Sequence, residues 1–179
     1  MQFEKLALDG AWLIRPEPIR DSRGFFARSF CAAEFAAHDL QDSFVQCNIS
    51  YNAAKGTLRG MHFQLAPHEE VKLVRCTAGA IHDVIVDIRS GSATRGQWLA
   101  VELSAANRHM LYIPEGFAHG FKTLADDTEV FYQMGSAYVP GSASGLRYDD
   151  PAFGIDWPPG EIVISDKDLS YPPFDAEGA

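Results

Sequence analysis

The chain has 179 residues, of which 46% are hydrophobic and 22% charged, and its formal net charge is −9 at pH 7. This length suits one domain with a buried core, so we expect a single domain over residues 1–179. The acidic balance argues against nucleic acid or a membrane surface as the main partner, because both select basic proteins.

The N-terminal residues resemble neither a signal peptide nor a membrane span. Acidic residues stand where a signal peptide has a basic region, and no apolar run in the chain approaches the roughly 18 residues of a span. We therefore expect no membrane partner and a cytoplasmic location. The segment LALDGAWLIRP fits an edge strand, either in its own sheet or exchanged with a second subunit.

Short apolar segments, separated by Gly, Asn, Asp and Pro, follow one another along the rest of the chain. Their alternating or continuous apolar pattern predicts β-strands. One segment, Ala32–Leu40, predicts a helix. The predicted strands are Val45–Ser50, Thr57–Gln64, Val71–Ala78, Ala80–Ile88, Gln97–Leu103, His109–Ile113, Gly120–Leu124, Thr128–Met134 and Glu161–Ile164.

Many strands at short spacing, without repeated crossover helices, predict a mainly β, antiparallel fold. We expect a cupin-like jelly-roll barrel with a few short helices. Within Ile81–Ile88, Asp83 and Asp87 fall on one face and mostly apolar residues on the other, as expected of a barrel whose lumen is partly polar. The proline-rich end of the chain should wrap the surface rather than form long elements.

The heptapeptide LRGMHFQ, Leu58–Gln64, places a histidine inside a predicted strand. Alternation puts His62 and Gln64 on one face and Arg59 on the other, unless Gly60 forms a bulge. A histidine in such a place is more often a buried structural residue than a catalyst. A metal ligand or a base are the functional alternatives.

A second histidine, His119, ends the sequence PEGFAH, in which a tight turn delivers the side chain to the mouth of a barrel. The sequence resembles the second motif of the cupin superfamily, whose barrels often hold a metal. A metal cupin needs two histidines spaced by one residue in its first motif, and this chain has His62 and Gln64 there. Glutamine is a poor ligand for iron, zinc or manganese, so we expect no metal, with a metal-dependent cupin as the alternative.

Several cations could converge on the barrel mouth. Lys72 or Arg23, taken alone, would be interpreted as a solvated strand or turn charge. In an acidic protein, however, a local basic cluster is what an anionic substrate requires. The candidate cations are Arg23, Arg59, Lys72 and His119.

Two further residues have both structural and chemical interpretations. Tyr132 shares a strand face with Val130 and Met134 and could pack there, or its phenol could serve as an acid. Asp168 follows Ser165 at the spacing of a helix capping box. No helical pattern follows it, which leaves a chemical role open.

Together these residues resemble one family, the dTDP-4-dehydrorhamnose 3,5-epimerases, which are metal-free relatives of the cupins. The resemblance runs from about residue 21 to residue 168. The matching stretches are Asp21–Phe26, Gln46–Ser50, Lys55–Gln64, Lys72–Arg75, Asp83–Arg89, Val101–Ala106, Ile113–Phe121, Tyr132, Gly145–Trp157 and Ser165–Asp168.

The resemblance implies an isomerase that inverts C3, C5 or both in a nucleotide-linked 4-keto-6-deoxyhexose, by default dTDP-4-dehydro-6-deoxyglucose. His62 would be the base and Asp168 would fix its tautomer. Lys72 would stabilise the enolate oxygen, and Tyr132 would return a proton from the opposite face. Such a reaction needs no cofactor and no metal.

The resemblance also implies the residues that bind substrate. Arg28 and Ala143 stand where the family usually has glutamate, and these two departures bear on recognition of the sugar or nucleotide. Tyr138 matches an aromatic residue that stacks on the nucleotide base. The other implied binding residues are Arg23, Gln46, Asn48, Arg59, His119 and Lys167.

Alternatives to the double epimerase remain at this stage. The departures at Arg28 and Ala143 motivate a mono-epimerase, or an enzyme for another sugar or nucleotide. A metal-dependent cupin enzyme and an inactive sugar-nucleotide binding module come from other classes. The resemblance also implies a homodimer in which N-terminal strands pair across the interface.

Overall fold

The structure is a computed structural model, and it describes residues 1–174. The strands are β1 (Gln2–Lys5), β2 (Trp12–Arg15), β3 (Ile19–Asp21), β4 (Gly24–Phe26), β5 (Gln46–Asn52), β6 (Leu58–Gln64), β7 (Lys72–Ala78), β8 (Ala80–Asp87), β9 (Trp98–Ser104), β10 (Met110–Ile113), β11 (Phe117–Thr123), β12 (Thr128–Met134) and β13 (Ala143–Gly145). The helices are α1 (Ala32–Ala36) and α2 (Asp166–Leu169).

Two antiparallel sheets form the body of the fold. The six-stranded sheet has the order β1-β2-β10-β7-β12-β5, and the five-stranded sheet has the order β13-β6-β11-β8-β9. Strands β3 and β4 form a separate hairpin. Because neighbours in each sheet are mostly distant in sequence, the chain passes back and forth between the sheets, as in a jelly roll.

Apolar residues from both sheets form the core between them, which includes Val74, Ile85, Leu111 and Phe121. The outer faces are covered as well. The α1 region packs Phe35 against the six-stranded sheet, and the C-terminal region packs Phe153 against the five-stranded sheet. Burial on both faces explains why the predicted strands include continuous apolar runs as well as alternating ones.

Most predicted strands are confirmed to within a few residues at their ends. The prediction for Glu161–Ile164 is wrong, because Val163 makes only an isolated parallel bridge to Thr57. The predicted helix Ala32–Leu40 ends at Ala36. Turns follow it, and Asp39 adopts a left-handed conformation with φ of 58° that cannot continue a helix.

A bulge in β6 changes which side chains share a face. His119 pairs with His62 and Phe121 pairs with Arg59, so two steps along β11 oppose three along β6. Gly60 makes the close approach possible: its φ is +140°, and a Cβ there would lie 2.5 Å from the Cα of Gly120. The bulge at Gly60, which was the stated exception to alternation, is therefore present, and Arg59 lines the same cavity as His62.

The capping interpretation of Ser165 and Asp168 is confirmed. Ser165 caps the four-residue helix α2 by accepting a hydrogen bond from the backbone N–H of Asp168 at 3.1 Å. The absence of a helical pattern after Ser165 was thus misleading, because one turn is too short to show a period.

No helix within residues 1–174 has the length and apolar character needed to cross a membrane.

Candidate active site

A cavity of about 520 Å³ opens between the two sheets and brings together most of the predicted site residues. The five-stranded sheet contributes side chains from β6 and β11, and the six-stranded sheet contributes side chains from β5, β7 and β12. The predicted residues that line the cavity are Gln46, Asn48, Arg59, His62, Lys72, His119, Tyr132, Tyr138 and Lys167.

Asp168 is connected to this site by a hydrogen bond to His62. The His62 Nε2 atom lies 2.8 Å from Asp168 Oδ1, and Asp168 Oδ2 accepts a bond from the backbone N–H of Gly60 at 3.3 Å. Burial alone raises the pKa of Asp168, but the hydrogen bond and charge of His62 outweigh it, so the pKa lies below its usual value. An ionised carboxylate only accepts hydrogen bonds. Nε2 therefore carries the proton in neutral His62, and Nδ1 is the basic nitrogen.

A second histidine–aspartate pair lies beside the first. His119 is the register partner of His62 across β6 and β11, and its Nε2 atom lies 2.8 Å from Oδ1 of Asp83. Asp83 is fully buried, which confirms the prediction of a partly polar barrel interior. The carboxylate fixes the orientation of the His119 ring at the cavity wall.

Tyr132 comes from the sheet that faces His62. It is partly buried and packs against the central core. Burial raises the pKa of the Tyr132 phenol, while the positive charge of Arg59 opposes this and the negative charge of Glu70 adds to it. The net effect keeps the phenol protonated well above neutral pH, as a general acid requires.

Lys72 brings a cation to the same wall as Tyr132. Its Nζ atom lies 2.8 Å from Glu70 Oε1, and the side chains of both residues are buried. Within residues 1–174, this ion pair is the one polar contact of the ammonium group. Its other N–H donors are therefore available to an oxygen atom in the cavity.

Polar side chains on β5 hold the rim of the cavity. Gln46 Nε2 donates to Asn48 Oδ1 at 3.1 Å, and Gln46 Oε1 accepts from the backbone N–H of Tyr138 at 3.1 Å. The Tyr138 side chain is 49% exposed at the edge of the cavity. Arg59 is oriented by Asn52, whose Oδ1 accepts from Arg59 Nε at 2.7 Å.

Gln64 is occupied with structural hydrogen bonds. Its Nε2 donates to the carbonyls of His68 and Ala137, and its Oε1 accepts from the N–H of Val139 at 2.7 Å. The side chain thus ties together two loops beside the cavity. Within residues 1–174, no group of three or more His, Cys, Asp or Glu side chains is arranged to hold a metal ion.

Arg23 and Arg28 lie outside the set of cavity-lining residues. Arg23 is on the β3–β4 hairpin, with its side chain 88% exposed and paired with Asp21. Arg28 forms an ion pair with Glu34 at 2.9 Å. The chain alone therefore does not bring these two predicted binding residues to the site.

The cavity lining includes two residues that the sequence did not predict and one, Ala143, that departs from the family pattern. Glu70 and Tyr171 were missed; Tyr171 makes an edge contact with the His62 ring, with centroids 5.7 Å apart. The charge pattern around Lys72 was the available signal for Glu70, whereas Tyr171 follows α2 in a proline-rich stretch that gave none. Ala143 lines the cavity on β13 as the register partner of Gln64.

Comparison with known proteins identifies the family. The family model described as dTDP-4-dehydrorhamnose 3,5-epimerase matches residues 5–176. The chain belongs to this family. A dTDP-4-dehydrorhamnose 3,5-epimerase from Sinorhizobium fredii is 46% identical over 173 residues, covering 96% of this chain and 89% of that protein.

Solved structures of dTDP-4-dehydrorhamnose 3,5-epimerase family members agree with the fold. A crystal structure of the Bacillus anthracis enzyme, with TDP and PPi bound, has a TM-score of 0.94 and 40% identity, covering 97% of this chain and 99% of that chain. A Legionella pneumophila enzyme in complex with dTDP-4-keto-L-rhamnose has a TM-score of 0.89 and 38% identity, covering 98% and 99%. The predicted family, the jelly-roll fold and the enzyme class, an epimerase among the isomerases, are confirmed.

Proposed function

We propose that this epimerase inverts C3 and C5 of dTDP-4-dehydro-6-deoxyglucose to give dTDP-4-dehydro-L-rhamnose, using His62 and Tyr132 on opposite sides of the sugar. The observation that carries the proposal is that His62 on one sheet, hydrogen-bonded to Asp168 of α2, and Tyr132 on the other sheet line a single cavity. The dTDP-sugar named with the Legionella pneumophila relative supports this substrate.

The first step removes a proton from a carbon next to the C4 carbonyl. His62 Nδ1 takes the proton, and the carbon–hydrogen electron pair moves into the ring to form an enolate. Asp168, ionised and 2.8 Å from Nε2, stabilises the resulting imidazolium. Lys72 stabilises the negative charge that develops on the C4 oxygen.

The second step returns a proton to the opposite face. Tyr132 donates its phenolic proton to the carbon, the C4 carbonyl re-forms, and solvent later restores both side chains. Because base and acid come from different sheets, the hydrogen leaves one face and arrives at the other. No atom is oxidised or reduced.

Cations and an aromatic ring account for binding of the nucleotide diphosphate. Arg59, His119 and Lys167 surround the cavity with positive or hydrogen-bonding groups suited to phosphate oxygens. Tyr138 is exposed at the rim, where it can stack on the base. These groups give an acidic chain the local basic site that its anionic substrate requires.

The test is hydrogen exchange at the two carbons. We expect the wild-type enzyme, incubated with dTDP-4-dehydro-6-deoxyglucose in deuterated water, to place deuterium at C3 and C5 of the product, followed by NMR. Exchange at one carbon alone would select the mono-epimerase. That alternative is still motivated by the apolar Ala143 in the cavity wall and by Arg28, which is not among the lining residues and pairs with Glu34. No exchange with dTDP, CDP, UDP or GDP sugars would contradict the proposal.

We also propose that the enzyme is a homodimer in the cytoplasm. The β3–β4 hairpin exposes Ile19 and Phe26 at 71% and 70%, and such apolar exposure suits an interface. Arg23 and Arg28 would then approach the substrate of the second subunit. Light scattering should give about twice the chain mass of 19.7 kDa, and a mass near the single-chain value would contradict the dimer.

A further inference from the structure

Glu70 stands directly against the cation that the proposed mechanism uses. It lies two residues before Lys72, which is the first residue of β7. Its Oε1 atom is 2.8 Å from Lys72 Nζ, and the exposed fractions of the two side chains are 4% and 10%. Both residues line the cavity.

The polar contacts of Glu70 are incomplete. Its Oε2 atom is buried, and no residue among 1–174 forms a hydrogen bond with it. Buried carboxylate oxygens without partners are unfavourable and are usually kept where they serve a function. Stability alone therefore does not explain this carboxylate at the cavity wall.

Lysine needs such a partner if it is to act on a defined oxygen. Its charge is a point on a flexible four-carbon stem, so the ammonium group can occupy many positions unless something holds it. Electrostatic stabilisation of a developing charge depends on a fixed geometry. Within residues 1–174, Glu70 is the one polar group that contacts the Lys72 ammonium.

We propose that Glu70 is a positioning residue, which holds the Lys72 ammonium at the place where the enolate oxygen forms. This inference rests on the proposed function. Glu70 uses one side of the ammonium and leaves its remaining N–H donors for the substrate. Its negative charge also lies close enough to Tyr132 to help raise the pKa of the phenol, so the same carboxylate favours the protonated acid.

Two substitutions separate the position of the oxygen atom at residue 70 from its negative charge. Glu70→Asp keeps the charge but withdraws it by one methylene, so we expect kcat to fall about 10- to 100-fold, as for a misplacement near 1 Å. KM should change less, because the charge on the enolate oxygen develops only in the transition state. Glu70→Gln keeps an oxygen at the original reach, and its kcat should stay within about fivefold of the wild-type value.

A double-mutant cycle tests whether Glu70 acts through Lys72. In a Lys72→Met background, Glu70→Asp should change kcat less than about twofold, since the group it positions is gone. Glu69→Asp is the matched control, because the neighbouring Glu69 lines a different cavity. Glu70→Ala should lower kcat at least as far as Glu70→Asp, and it replaces that variant if the aspartate protein does not fold.

Three results would overturn the inference. The first is wild-type kcat in both Glu70→Asp and Glu70→Ala, and the second is an equal loss of kcat in Glu70→Gln and Glu70→Asp. The third is that Glu70→Asp lowers kcat by the same factor in the wild-type and Lys72→Met backgrounds. Failure of the proposed function would look different. In that case the wild-type enzyme itself would show no exchange at C3 or C5, before any variant is compared.

Discussion

His62 Nε2 and Asp168 Oδ1 lie 2.8 Å apart although 106 positions separate the two residues in the chain. Strand β6 supplies the histidine and the single turn α2 supplies the aspartate. The Ser165 hydroxyl oxygen accepts a capping bond from the Asp168 backbone N–H, which holds that turn in place with the Asp168 side chain directed at the imidazole. In the proposed mechanism, this contact orients His62 as the base.

Asp168→Asn should impair the base. The amide can donate to Nε2 and so favour the wrong tautomer, and it cannot stabilise the imidazolium, so we expect kcat to fall about 10²-fold or more. Steady-state kinetics with the dTDP-sugar measure this. Asp166→Asn, on the exposed side of the same helix turn, is the control and should keep wild-type kcat. Wild-type kcat in Asp168→Asn would show that the pair is structural.

The sequence predicted the strands because alternation and β-branched residues report directly on burial, as in Thr128–Met134. Alternation alone could not establish that Arg59 joins His62, because the bulge depends on Gly60 meeting Gly120 from a distant strand. Tyr171 was equally hidden, since only the folded chain places it against His62. Short strands such as β13 carry too few residues to show a period.

The C-terminal aromatic ring should matter for turnover. Tyr171→Ala removes the edge contact with His62, and we expect kcat/KM to fall about 2- to 10-fold, as for loss of an aromatic pair. Tyr171→Phe should retain wild-type kinetics because the ring, rather than the hydroxyl, makes the contact.

Gly145 offers an independent test of the same ring. A Cβ at Gly145 would lie 2.5 Å from Tyr171 Cε2, so Gly145→Ala must displace the ring. It should lower kcat/KM as Tyr171→Ala does. Gly141→Ala is the matched control, because a Cβ there meets nothing within 4 Å. Equal kcat/KM values for Gly145→Ala and Gly141→Ala would argue against a role for the position of the Tyr171 ring.

Asp87 should contribute to stability with a defined pH dependence. Burial alone would raise its pKa, but hydrogen bonds from Arg89, Ser92 and Thr94 lower it to about 2. Because the folded pKa lies below the unfolded value, the stabilisation is complete above about pH 4 and is lost as the pH falls toward 2.

Asp87→Asn should therefore lower the free energy of unfolding by about 1.5–3 kcal/mol at pH 7, since it removes hydrogen bonds to a charged group. Urea unfolding at several pH values should show the difference from wild type shrinking below pH 4. Asp149→Asn, which breaks the exposed pair with Arg147, should cost less than about 1 kcal/mol. A pH-independent difference for Asp87→Asn would refute this assignment.

Activity should not depend on a bound metal. The Nε2 atoms of His62 and His119 both bond to aspartates, and the Gln64 amide is engaged by three backbone groups. Dialysis against EDTA should leave kcat unchanged, and elemental analysis of protein purified without chelator should find no stoichiometric metal. Loss of activity that zinc, iron or manganese restores would favour the metal-dependent cupin.

The most direct measurement is the fate of hydrogen in Tyr132→Phe. His62 can still remove the proton and solvent deuterium can return to the same face, so the recovered substrate should gain deuterium at C3 or C5 while keeping its configuration. Product formation should fall about 10²- to 10⁴-fold, and His62→Asn should abolish both exchange and product. If Tyr132→Phe instead forms inverted product at the wild-type rate, or loses exchange and product by the same factor, Tyr132 does not protonate the opposite face.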